Sequence, residues 1–112
     1  MIKIIVDFFK KLFNKETNKI IAVDFYNKDN VLDIRYLSKR EYEVYNIIKE
    51  SNEKLQAISI SRAMRNDVSL ALIYKILEDL VFMGMVEVEI INTRDDPYTD
   101  IKKYFIRNKI IN

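Results

Sequence analysis

The side chains able to do chemistry in this chain are few, and their gaps decide a good deal. It contains no cysteine and no histidine. Disulfides and thiolate metal sites are therefore excluded. A Ser-His-Asp or Cys-His triad and the usual physiological-pH switch are excluded with them. Carboxylates remain. Asp95, Asp96 and Asp100 share one polar stretch, and oxygen ligands of that kind can hold a hard cation. They lack the spacing and glycine of a calcium loop, so an acidic surface loop is the better reading. Glu87 and Glu89 alternate along an expected strand, on its solvent side, where nothing sets them as acid and base in a cleft. One glycine in the whole chain leaves no phosphate-cradling loop. The residues point away from an enzyme, a small-molecule substrate, a cofactor and a metal.

Basic side chains are the other candidates. The net charge is only +2, which permits a polyanionic partner without demanding one. Its distribution says more. Residues 1–20 carry +3 and residues 38–66 carry +2, while residues 67–84 carry −2. The cations are spread over two segments and do not form one block.

These groups need elements to position them. With 112 residues, 49% hydrophobic and 32% charged, the composition is that of one globular domain. Residues 2–13 read as a helix, because Ile2, Ile5, Val6, Phe9 and Phe13 recur at three and four residues with Lys3, Lys10 and Lys11 off the stripe. Residues 19–26 and 31–36 read as two strands around Asn27-Lys28-Asp29-Asn30, residues that accept the left-handed conformations of a tight turn. Ser38 and Glu41 form a capping box for a helix over 38–52, with Leu37 stapling onto Tyr42 and Val44, Tyr45 and Ile48 facing inward.

A short helix follows over 57–65, with Ile60, Ala63 and Met64 turned to the core. After the brief turn Asn66-Asp67-Val68, Ser69 caps a helix running to about Met83 on the inward stripe Ile73, Ile76, Leu77 and Leu80. Gly84 falls where a helix end wants a left-handed residue. Residues 85–91 then alternate as a strand, and 101–107 return after a polar loop. No apolar run reaches the roughly 20 residues of a membrane span, and no small-residue cleavage site follows the first apolar stretch. A cytoplasmic protein is the expectation.

From residue 37 the order is helix, short helix, tight turn, helix, glycine, strand, polar loop, strand. In "LSKREYEVYNIIKES", "ISISRAM", "SLALIYKILEDLVFMGMVEVEI" and "IKKYFIR" the chain resembles the winged helix-turn-helix DNA-binding proteins, over roughly residues 37–107. The resemblance implies an α+β fold, a three-helix core with a β-hairpin wing. Residues 1–36 would be a helix and hairpin extension serving dimerisation or self-packing, and 108–112 a tail. In the family the second helix lends a small residue to tight packing, where Ala63 stands here. The recognition helix opens with Ser or Thr, as Ser69 does, and ends in Leu-x-x-x-Gly-hydrophobic, as Leu80 to Met85 does.

The resemblance further implies a small transcriptional regulator that binds double-stranded DNA as a homodimer. The third helix would lie in the major groove, with Tyr74 and Lys75 for polar base contacts and Leu70 and Ala71 for thymine methyls. Its outward face continues into Glu78 and Asp79, so phosphate neutralisation must come from elsewhere. Lys39, Arg40, Arg62, Arg65, Arg94 and Lys103 are the candidates. Lys102 and Lys103 could instead pair across the strands with Glu87 and Glu89. Ile2, Ile5, Val6, Phe9 and Phe13 would form the dimer interface or pack on their own domain. Two other readings stay open. One is a protein-interaction module anchored by Leu70, Leu72 and Phe82, and the other is a membrane-peripheral adaptor held by residues 1–13.

Overall fold

A computed structural model describes residues 20–92 and 100–107 of the chain. Among these residues the fold is α+β, with three helices and two small antiparallel hairpins. The expected helix over residues 2–13 and the tail 108–112 lie outside the described residues.

β1 (Ile20–Tyr26) and β2 (Leu32–Ser38) pair in antiparallel register, Val23 opposite Arg35 and Phe25 opposite Asp33. Their turn is organised by one side chain. Asn27 Oδ1 accepts from the backbone N–H of Asp29 at 3.0 Å and of Val31 at 3.1 Å. Asn30 takes a positive φ of 61°, a conformation asparagine tolerates because its short amide can bond locally. β2 runs directly into α1 (Lys39–Glu50) with no linker. The junction is the capping box: Glu41 N–H donates to Ser38 Oγ at 3.2 Å, and Ser38 N–H donates to Glu41 Oε1 at 2.9 Å. Two otherwise orphaned donors are satisfied there, worth about 1 kcal/mol.

α2 (Ala57–Ala63) and α3 (Leu70–Phe82) follow. The seven-residue α2 turns Ala57, Ile60, Ser61 and Met64 inward and leaves Ala63 exposed. That corrects the expectation for Ala63. At about 100° per residue, positions 57, 60, 61 and 64 share one arc and position 63 falls off it. Ser61 is the small buried residue, and its hydroxyl donates to Asn66 Oδ1 at 3.3 Å. The α2–α3 turn passes through two left-handed residues, Arg65 (φ 56°) and Asn66 (φ 59°), before Val68 drops into the core.

α3 stops in a Schellman motif. Met85 N–H donates to the Leu80 carbonyl at 3.0 Å, and Gly84 N–H donates to the Val81 carbonyl at 3.0 Å. Gly84 has φ 78°, and Leu80 and Met85 are buried together. β3 (Glu87–Asn92) begins two residues later than expected, because Met85 and Val86 are spent as buried connectors. β4 (Asp100–Phe105) pairs with it antiparallel, and Ile106 beyond it is buried.

One core unites these parts. Val23, Phe25 and Leu37 of the first hairpin join Val44 and Ile48 of α1, Ile60 of α2, Ile73 and Leu77 of α3, and Tyr104 of β4. Removing one such side chain, as in Leu77→Ala, costs about 2–5 kcal/mol. α1 is the central element, in contact with both other helices, with β1 and β2, and with β4.

Candidate nucleic-acid interface

The site is built on α3. Ser69 Oγ accepts from Leu72 N–H at 3.2 Å and caps the helix. Ile73, Ile76, Leu77 and Leu80 are all buried, so the helix is held along one stripe and cannot roll. Everything off that stripe stands in solvent in the first turns. Leu70, Ala71, Tyr74 and Lys75, the four expected base contacts, are all exposed, Tyr74 at 46%. Leu72, Glu78, Asp79 and Phe82 share the outward side, Phe82 at 92%.

The cations are arranged unevenly around this helix. Arg40 and Lys75 line one open groove of about 410 Å³ between the start of α1 and α3, together with Glu41 and Asp79. Glu41 is already committed to the cap of α1. The structure therefore brings one expected phosphate contact and one expected base contact onto the same surface, although they lie 35 positions apart. Lys39 lies beside Arg40, half-buried at the first position of α1. Arg62 and Arg65 are exposed, one on the last turn of α2 and one in the turn leading to α3. Arg94, Asp95 and Asp96 lie outside the described residues, as do Ile2, Ile5, Val6, Phe9 and Phe13.

The second hairpin adds detail that residue pattern alone did not show. Lys103 sits opposite Glu89 in the ladder and Lys102 opposite Ile90. The strand carboxylates are nevertheless held from elsewhere. Lys54 Nζ lies 2.8 Å from Glu89 Oε2, and Arg107 Nε lies 3.0 Å from Glu87 Oε2. The Lys54 hydrogen bond and charge pull the Glu89 carboxyl below its ordinary pKa, with Lys103 assisting and desolvation opposing. Lys54 also stands 4.5 Å from the centroid of the Phe105 ring, a cation–π contact. Lys102 is exposed and turns toward α3. It lines a groove of about 480 Å³ with Glu78, Asp79, Phe82, Ile90 and Tyr104. Burial raises the pKa of the Tyr104 hydroxyl, with smaller contributions from Tyr74 and from Glu78, which lines the same groove.

Among the described residues no group of three or more Asp or Glu side chains gathers to hold a metal ion. No helix among them is long and apolar enough to cross a membrane. Comparison of the sequence with family models and with curated proteins finds no match.

Proposed function

We propose that this chain is a winged helix-turn-helix protein that binds double-stranded DNA and acts in transcriptional control. In that reading α1 to α3 are the three-helix core and β3–β4 is the wing. The observation that carries it is the state of α3. A helix locked along one buried stripe presents Leu70, Ala71, Tyr74 and Lys75 together to solvent. That is how a recognition helix enters a major groove, N-terminal residues foremost. Arg40 beside Lys75, with Arg62 and Arg65, would supply backbone contacts that fix its register. A two-fold pair of chains would set two such helices about one DNA turn apart.

The test is a salt titration of duplex binding by the full chain. Affinity should fall linearly in log–log form as salt rises, and Lys75→Glu and Arg62→Glu should each weaken it. Absent binding at low salt, or affinity indifferent to salt, overturns the proposal.

A second reading rests on Phe82. An almost fully exposed phenylalanine beside an apolar groove floored by Val88 and Ile90 suits a protein-docking face. The acidic rim of Glu78 and Asp79 calls for a basic amphipathic segment as its partner. Phe82→Ser separates the two readings. The DNA reading expects unchanged duplex affinity, whereas the docking reading expects partner capture to be lost while Lys75→Glu leaves it intact.

A further inference from the structure

The outer face of the β1–β2 hairpin is apolar and uncovered among the described residues. Ile20, Ala22 and Tyr26 of β1 stand there with Leu32, Ile34 and Tyr36 of β2, all exposed, Tyr36 at 71%; Ala22 lies opposite Tyr36 and Tyr26 opposite Leu32. The other face of the same hairpin delivers Val23, Phe25 and Leu37 to the core. A hairpin with one buried face ordinarily shows polar residues on the other. Here the only charged side chain on the outer face of the two strands is Asp24.

We propose that residues 2–13 of the same chain form an amphipathic helix that lies on this face. Size argues for it first. Two seven-residue strands present a surface about 10 Å wide and about 23 Å long. A twelve-residue helix is about 18 Å long and about 10 Å wide. The footprint, roughly 230 Å² in projection, suits one helix. Length and width therefore fit the chain's own segment.

Reach agrees. Six residues, 14–19, join the segment to Ile20, enough to span about 20 Å and fold the helix back along β1. So short a tether holds the segment at millimolar effective concentration. Charge agrees as well. Ile2, Ile5, Val6, Phe9 and Phe13 form the stripe, and Lys3 and Lys10 flank it, placing cations beside Asp24. The stripe is then spent within the monomer and does not pair two copies.

The chain has no cysteine, so two introduced thiols react without ambiguity. Phe9→Cys with Ile34→Cys should close into an intramolecular disulfide on dilute oxidation. Phe9→Cys with Ile90→Cys, aimed at the other hairpin, should stay open. Disulfide-linked dimers from the first pair would assign the face to a second copy and overturn the proposal. Equal closure of both pairs, or closure of neither, would overturn it too. Vesicles of phosphatidylserine and phosphatidylcholine should leave closure unchanged, and sedimentation with them accompanied by lost closure would make lipid the occupant. In the unmodified chain, Phe9 ring protons should show Overhauser contacts to the Ile34 methyls. A sample mixing labelled and unlabelled chains must give those contacts within one chain only.

Discussion

Leu55 and Tyr104 exchange two backbone hydrogen bonds. The Leu55 N–H donates to the Tyr104 carbonyl at 2.9 Å, and the Tyr104 N–H donates to the Leu55 carbonyl at 2.7 Å. A single residue between α1 and α2 thereby forms an isolated antiparallel bridge to the second hairpin. The bridge fixes how far that hairpin stands from α3, since Tyr104 also lines the groove between them. Leu55→Pro removes one donor and leaves the Tyr104 carbonyl unpaired. It should cost about 1–3 kcal/mol, read as a lower urea midpoint with an unchanged slope. An unaltered midpoint would mean the bridge contributes nothing.

Gly84 offers a cleaner measurement of backbone strain. Its φ is 78°, and a Cβ built there meets nothing within 4 Å. Substitution therefore meets a conformational penalty and no clash. Gly84→Ala should lose about 1 kcal/mol, and Gly84→Asn distinctly less, because asparagine visits the left-handed region more readily. Equal losses for the two variants would show that the penalty lies elsewhere. Urea denaturation of both variants against the parent chain decides it.

What could be read from the residues was local or periodic. Ser38 with Glu41 three positions on is a local signal, and Gly84 four positions after Leu80 is another; both stand in the structure as capping motifs. Ile73, Ile76, Leu77 and Leu80 recur over thirteen residues of helix, long enough for the period to show which side faces out. The exposure of Leu70, Ala71, Tyr74 and Lys75 followed from that period. α2 spans only seven residues, too few for its period to show that the inward arc holds Ser61 and leaves Ala63 out. Contacts between distant positions left no pattern. Lys54 reaching Glu89, Arg40 meeting Lys75 across a groove, and Leu55 pairing with Tyr104 all depend on the packing of whole elements.

The Lys54–Glu89 pair gives a prediction in pH. Glu89 has its pKa lowered in the folded chain, first by the Lys54 hydrogen bond and then by its charge. A depressed carboxyl contributes stability above its unfolded pKa and loses it as pH falls through the folded value. The parent chain should therefore exceed Glu89→Gln in stability at neutral pH. The gap should close through the acidic carboxylate range. Both side chains are more than two-fifths exposed, so added salt should narrow the gap as well. A gap that persists unchanged at acid pH would show that the carboxylate charge is not its source.

Arg65 joins strain and proposed function in one residue. It holds φ 56° in the α2–α3 turn while its side chain stands in solvent. A residue with a Cβ loses about 1–2 kcal/mol in that conformation, and glycine gives back about 0.5–1 kcal/mol of it in chain entropy. Arg65→Gly should leave stability unchanged or raise it by up to about 1 kcal/mol. The backbone bond from Arg65 N–H to the Arg62 carbonyl, 2.9 Å, survives the change. If Arg65 contacts a phosphate, the same variant should bind duplex more weakly at every sequence and reduce the salt slope by about one. Arg65→Lys should keep the parent's stability and most of its affinity, since the charge and the strain both remain. Thermal unfolding and a salt titration on the three chains test both halves. Parental affinity in a well-folded Arg65→Gly chain removes Arg65 from the interface.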